Sequence, residues 1–540
     1  MTRMQFDYGN QKAPVLRMIF LGLVLSSPAF LAGLNQMYVA VALPQMKLTL
    51  DEASWFGSLC SFSAPISCIV VGLLIDKLGR RAVLIYSVTA SVIGWSLLLW
   101  DANPTVILMG QVFNGLTTGA VGYASQVYAG ECVMVNHVRL RNSFLMWNGV
   151  GGSLGSTATL LMATFINYRQ ICTVCTLLSI TLLVLLCKVI PESPAWLFHK
   201  GRIGDAEWSA KKLGIAQPIL SQDPKIAPLV RQPSEVSWSS LKSEASKFRR
   251  RDVYKPILIF VGVNVLLATC GATTLLTYMI NIIQNDVPGS TASSGDKSVI
   301  VSELADSRIQ YVPFYAWHQS PQYSWNSHPH PPPVDPLSPS MAHPPEVDPL
   351  ISFVVQNETT IGDASSTTSS TPTYVPTDAN MYSVIIGILM CMTSLTSCLI
   401  LPYFGIRNIL TTSEACASFA FVILAFTTSY DSTPDVLKWR VMAISMIAVM
   451  YSLSSGSSDA VLGDVLPADA KGFASLVSVC SFFAVALTNK SFPYLYAMMG
   501  GHVYLLFTIV CILAVYFIRS FMPEVLGKTL DQINREFLKV

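Results

Sequence analysis

The sequence predicts an all-α membrane protein with twelve transmembrane helices in two pseudo-symmetric six-helix bundles. Three observations predict it. Hydrophobic residues make up 52% of the 540-residue chain and charged residues only 12%, against about 25% charged in soluble proteins, so much of the surface must face lipid. Apolar runs of about the 20 residues needed to cross a bilayer recur twelve times, six on each side of one polar interruption. Short charged motifs at the ends of these runs occur in both halves, the mark of a parallel structural repeat.

The first six runs fall near 18–44, 54–75, 82–100, 105–128, 142–166 and 171–190. The second six fall near 256–283, 381–403, 409–429, 439–463, 472–497 and 501–520. Hydrocarbon offers no partner to a bare backbone, so each run is expected to be a helix. The chain then divides into an N-terminal stretch (1–17), a first bundle (18–190), a linker (191–255), helix seven (256–284), a long loop (285–380), helices eight to twelve (381–520) and a tail (521–540). Within the linker, PESPAWLFHKGR and DAEWSAKKLG have the spacing of short amphipathic helices, with Gly214 as a stop. No cleavable signal peptide is expected, because the first run is too long for one and further spans follow at once.

Charge distribution predicts orientation. Residues 191–255 hold twelve Lys and Arg, whereas 285–380 hold only Lys297 and Arg308 against ten acidic residues. The positive-inside rule therefore puts the linker and both termini in the cytoplasm and 285–380 outside. The basic run Arg249-Arg250-Arg251 reads as a topology anchor, so nucleic acid is not an expected partner. The 285–380 loop is rich in Pro, Ser and Thr, the composition of a disordered stalk. Asn357 begins a glycosylation sequon on that side, and the sequon at Asn489 falls inside span eleven, away from any transferase.

The motifs speak of gating rather than bond making. No nucleophile with its base, phosphate loop or dinucleotide fingerprint is assembled, so neither an enzyme nor a cofactor is expected. GVGGSLG (149–155) lies within an apolar run and reads as close helix packing through small residues. The twelve cysteines avoid 285–380 and show no metal-ligand spacing in a polar context, so they read as packing residues and no metal is expected. DKLGRR joins spans two and three: Gly79 permits the tight turn, and Asp76, Arg80 and Arg81 can form charge-assisted bonds to neighbouring helix ends. Glu131 has Arg139 and Arg141 nearby, and Glu192 opens PESPAWL. The second half answers with Gly405 and Arg407, with Asp464 and Lys471, and with Glu524. Such clusters can hold helix ends together in one state and release them in another.

These motifs, with VALPQM (41–46), SWFGSL (54–59) and the terminal PEVLGKTLDQI (523–533), resemble the sugar porter family of the major facilitator superfamily. Within it, the likeness is to insect facilitated trehalose transporters and animal facilitative glucose transporters. The resemblance implies alternating access about a central site between two bundles, with a lipid bilayer and a small-molecule solute as partners and the plasma membrane as destination. Nothing in the residues speaks to oligomeric state.

Carrying the family's sugar-contacting residues over gives Gly149 beside Asn148 in span five, Leu267, Ala268 and Thr273 in span seven, Asp459 in span ten and a position near Phe482 in span eleven. Tyr278 matches an aromatic of the family. Most of the expected amides are thus absent. Asn35, beside Gln36, falls where proton-coupled relatives carry an aspartate, and an amide cannot titrate, which implies a passive facilitator or a packing role. Asp459 is an intramembrane carboxylate, a functional hypothesis in itself or a solvated gate residue. Three readings stay open: a facilitator of trehalose or hexose, a transporter of a non-sugar solute, cationic or proton-coupled, using Asp459, and a non-transporting sensor or surface protein.

Overall fold

The computed structural model describes residues 15–46, 48–100, 103–132, 138–213, 251–284, 378–428, 434–465, 474–524 and 536. The first six spans are α1 (Val15–Ala42), α2 (Leu50–Leu78), α3 (Arg80–Trp100), α4 (Pro104–Cys132), α5 (Val138–Met162) and α6 (Tyr168–Val189). Two short helices follow, α7 (Pro194–His199) and α8 (Ile203–Leu213). The second half holds α9 (Arg251–Thr269), α10 (Ala272–Thr277), α11 (Met279–Gln284), α12 (Asp378–Phe404), α13 (Ile406–Thr428), α14 (Pro434–Val465), α15 (Ala474–Met499) and α16 (Val503–Phe521). No strand occurs among the described residues.

Eight described stretches are apolar and long enough to cross a membrane, one of them (475–521) containing both α15 and α16. Helices α1, α4 and α5, of 28, 29 and 25 residues, complete the twelve crossings, since 25 residues at about 1.5 Å each exceed about 30 Å of hydrocarbon. Local chemistry sets their ends. Thr49 and Glu52 exchange bonds in a capping box that starts α2, satisfying backbone N–H groups that have no partner within the helix.

Within the first half, α1 lies against α5 and α2 against α4. Small residues allow the first of these approaches: a Cβ on Gly33 would stand 1.9 Å from the Gly152 carbonyl oxygen, and one on Gly155 2.1 Å from that of Phe30. GVGGSLG is therefore packing, as its apolar setting implies. Two antiparallel seams join the halves. Along one, α5 meets α12, with Thr157 Oγ1 donating to the Gly387 carbonyl (2.7 Å) and Asn380 Nδ2 to that of Ala163 (3.3 Å). Along the other, α2 runs against α15, from Asp51 beside Lys490 at one end to Gly72 beside Ser475 at the other.

Span seven departs from the single helix its apolar run predicts. It breaks at Cys270–Gly271 and again at Tyr278. Gly271 takes φ +85°, and the Phe507 ring of α16 packs where a side chain would stand, 2.5 Å from a Cβ built there. Left-handed backbone is open to glycine and costs other residues about 1–2 kcal/mol. Beyond the break, Leu275, Leu276, Tyr278, Met279, Ile280, Ile282 and Ile283 are all buried, and α11 packs against α1, α12 and α14. The loop boundary also moves, because α12 starts at Asp378 rather than 381. The rest of the 285–380 prediction, Asn357 and Gly214 lie outside the described residues.

Gly271→Ala is expected to lower the thermal unfolding midpoint in detergent, by the equivalent of about 1–2 kcal/mol from the backbone alone and more from the Phe507 overlap. Gly204→Ala in α8, where a Cβ meets nothing within 4 Å, should leave the midpoint unchanged or slightly raised.

Candidate functional site

Between the halves lies a cavity of about 370 Å³, walled by α1, α2, α4 and α5 on one side and by the α9–α10 break, α12, α13, α14 and α15 on the other. Its polar lining includes Gln36, Asn148, Asn264, Thr273, Glu414, Ser452 and Asn489. Asn148 Nδ2 donates to Ser125 Oγ (2.8 Å), which fixes the amide against α4. The hydroxyls of Thr273 and Ser452 are buried without a hydrogen-bond partner among the described residues. Leu267, Ala268 and Phe482 also line the wall.

One end of the cavity is roofed by Asn489. Its Oδ1 accepts from Thr274 Oγ1 (2.6 Å), its Nδ2 donates to the Gly57 carbonyl (3.1 Å), and its own carbonyl accepts from Tyr278 Oη (3.2 Å). Helices α2, α10 and α15 are thereby joined through one side chain that is 3% exposed. A turn outward, Lys490 Nζ reaches Asp51 Oδ1 and Ser54 Oγ, each at 2.7 Å, and lies 4.0 Å from the Trp55 ring centre. Tyr494 Oη also donates to Asp51 Oδ1 at 2.7 Å. Every one of these contacts crosses between the halves or supports one that does.

The opposite end carries the duplicated charged motifs. Glu192 Oε1 accepts from the backbone N–H groups of Arg80 (2.8 Å), Arg81 (3.0 Å) and Ser193 (2.9 Å), so it caps α3. The Arg80 guanidinium meets Glu131 at 2.7 Å and Asp76 at 3.0 Å and donates to the Ile75 carbonyl at the end of α2. Arg81 Nη2 donates to the Cys187 carbonyl at the end of α6. The second half repeats this geometry: Arg407 Nη2 donates to the Arg519 carbonyl at the end of α16. Gly405 (φ +74°) stands against the Glu524 carboxylate as Gly79 (φ +98°) stands against that of Glu192, with Cβ-to-oxygen approaches of 2.5 and 2.3 Å. The repeat is incomplete, because Ile406 occupies the place of Arg80 and Pro402 that of Asp76.

The described partners of Asp76, Arg80, Arg81, Glu131 and Glu192 all belong to the first half. Glu131 is held by Arg80 and by the Ser193 hydroxyl; the side chains of Arg139 and Arg141 lie outside the described residues. The network therefore binds α2, α3, α4, α6 and α7 into one body.

The cavity gathers Asn35, Gln36, Asn148 and Thr273. Asn35 is 2% exposed and spends its amide on Gln111, Asn114 and Cys60, each at 3.2 Å, so most of its bonding is internal to the first half. Tyr278 is fully buried behind the roof rather than in the wall. The side chains of Asp459 and Asp464, and all of Lys471, lie outside the described residues. Sequence reasoning passed over Glu414, Asn489 and the Lys490–Asp51 pair. Glu414 is 4% exposed in mid-span, with Oε2 lacking a partner among the described residues.

A family model described as sugar (and other) transporter matches residues 23–291 and 367–537. The chain belongs to the sugar (and other) transporter family. It is similar to a facilitated trehalose transporter homologue of Drosophila simulans, 21% identical over 96% of this chain and 91% of that protein. It is likewise similar to sugar transporter ERD6-like 6 of Arabidopsis thaliana, 23% identical over 94% of this chain and 87% of the relative. Among solved structures, the partially occluded inward-open xylose transporter XylE from E. coli aligns with a TM-score of 0.61 at 14% identity, covering 95% of this chain and 100% of XylE. That likeness establishes the major facilitator fold for this member of the sugar transporter family.

The roof has a graded energetic prediction. Asn489→Ala leaves the Thr274 hydroxyl without its acceptor and removes the extra donor on the Gly57 carbonyl, and should cost about 1–3 kcal/mol. Asp51 is two-thirds exposed, so the Asp51–Lys490 coupling from an Asp51→Asn/Lys490→Met double-mutant cycle should be below about 1 kcal/mol. Chemical unfolding in detergent checks both; equal losses would contradict the ranking.

Proposed function

We propose that this protein is a facilitator of trehalose or a hexose that works by alternating access. The observation that carries the reading is the central cavity shared by both halves, a mostly apolar wall set with amides and hydroxyls, in a chain that belongs to the sugar (and other) transporter family. Its 370 Å³ lies at the small end of the roughly 300–1,000 Å³ usual for small-molecule sites, which suits a single sugar ring best. A sugar entering such a site gives up hydroxyl hydration and needs protein donors and acceptors in exchange. Gln36, Asn148 and Asn264 supply amides from positions other than the family's usual ones, and Thr273 and Ser452 supply hydroxyls. The site is in this reading rebuilt rather than lost. The amide of Asn35 carries no titratable proton, which supports downhill flow.

The charged end is assigned to the cytoplasm on the Lys and Arg bias of the flanking segments, and the plasma membrane follows as the destination of a nutrient facilitator. The Asn489 roof then closes the extracytoplasmic side, and the closed conformation exchanges solute with the cytoplasm. Asp76, Arg80, Arg81, Glu131 and Glu192 keep the first half rigid while it rocks, and Gly405, Arg407 and Glu524 do so in part for the second.

Purified protein in liposomes is expected to take up radiolabelled glucose or trehalose saturably, at a rate unchanged by an imposed pH gradient. Gln36→Ala should raise KM roughly five- to tenfold, the equivalent of about 1–1.4 kcal/mol for one lost hydrogen bond. Accumulation driven by a proton gradient, or no saturable flux from well-folded protein, would contradict the reading.

A further inference from the structure

We propose that Cys270, Glu414 and Cys511 form a binding site for a thiophilic divalent cation of the Zn2+ class, entered from the central cavity. The break in span seven, α13 and α16 each supply one residue, and the three donor atoms all lie within 4.8 Å of one another. All three side chains are buried, at 2%, 4% and 0% exposure. Zn2+ holds thiolates at about 2.3 Å and carboxylates at about 2.0–2.2 Å, so donors around a tetrahedral ion stand roughly 3.3–3.8 Å apart. The triangle needs to contract by about an ångström at most.

A second observation points to a ligand. Glu414 Oε2 has no hydrogen-bond partner among the described residues although the side chain is almost wholly buried. In that position the group is either protonated against the neighbouring thiols or paired with a cation, because a bare buried carboxylate is strongly disfavoured. Two thiols and one carboxylate suit a borderline-soft ion and not Mg2+ or Ca2+, which prefer all-oxygen ligands. Cys270 and Glu414 line the cavity, which supplies an entry path and leaves a fourth coordination position for water. Binding exchanges the thiol protons for the ion, and the protons leave by the same path.

The location carries a consequence that rests on the transport reading above. Cys270 immediately precedes Gly271, and Phe507, which packs on Gly271, lies one turn before Cys511 on α16. A bound ion would tie the bend of span seven to α13 and α16 and so arrest any rearrangement there. The site is invisible to residue spacing because its members are separated by 144 and 97 positions.

The test is a Cd2+ titration of the full-length protein in nanodiscs, read by the ultraviolet thiolate-to-cadmium charge-transfer band. Cys270→Ser and Cys511→Ser should each weaken binding by about tenfold or more and diminish the band, while Glu414→Gln should weaken binding by about tenfold and keep it. A Cys172→Ser/Cys175→Ser variant, which alters the other adjacent buried thiols on α6, should bind as the unmodified protein does. Metal-free thermal midpoints verify folding, and Cys→Ala replaces any serine variant that fails that check. Unchanged Cd2+ binding in both Cys270→Ser and Cys511→Ser, or its loss in the α6 variant, would overturn the site. In liposomes Cd2+ should block sugar uptake by the unmodified protein and spare Cys511→Ser, whose residue lies outside the cavity wall; bound Cd2+ without inhibition would overturn the arrest while leaving the site intact.

Discussion

The Asn489 side chain is the point on which the rest of the arrangement depends. It is one amide, buried, with its oxygen satisfied from α10 and its nitrogen donating to a carbonyl of α2. Burial makes each of these bonds worth keeping, because an unmade one leaves a polar group without water or partner. The same residue lines the cavity. A solute that rearranges the cavity wall therefore acts directly on the contact that joins the two halves. The outer Lys490–Asp51 pair is more exposed and weaker, so it orients the closure more than it drives it.

The two ends of the molecule use opposite strategies. At the charged end, each described bond stays within one half or the other, with one buried arginine of the first half serving two carboxylates and a helix-end carbonyl. At the roofed end, bonds from Asn489, Lys490 and Tyr494 cross the boundary to α2, supported by bonds within the second half from Thr274 and Tyr278. Internally braced halves that meet along two helix seams are what a rocking motion requires, since the interactions to be exchanged are then confined to those seams. The repeat is incomplete, with Ile406 opposite Arg80 in register, so among the described residues the arginine that serves two carboxylates is found in the first half.

Much of the fold was legible in the sequence. Span positions follow from hydropathy alone, and the observed helix ends fall within a few residues of the apolar runs. The DKLGRR glycine and its second-half counterpart were readable because a tight turn between long helices leaves few alternatives. The break at Gly271 was not, because LLATCGATTLL is uncharged and carries only apolar and small hydroxyl side chains, and glycine permits the left-handed conformation without demanding it; the Phe507 ring, more than two hundred residues away, decides it. Site residues split in the same way. Gln36 and Asn148 stand out as amides in apolar runs, whereas Asn489 reads as an unused sequon until α2 and α10 are seen beside it. Glu414 carries the same intramembrane-carboxylate signal as Asp459, but its meaning comes from Cys270 and Cys511, which only the packing of three helices brings near.

The central claim is that the contact between α2 and α15 at the roofed end must open for solute to pass. The most direct measurement is sugar flux in liposomes by an Asp51→Cys/Tyr494→Cys variant, whose parent residues are hydrogen-bonded, before and after joining the pair with a cleavable thiol cross-linker, with each single variant as control. The account predicts that flux stops on cross-linking of the double variant alone and returns on cleavage. Undiminished flux through a fully cross-linked protein would contradict it.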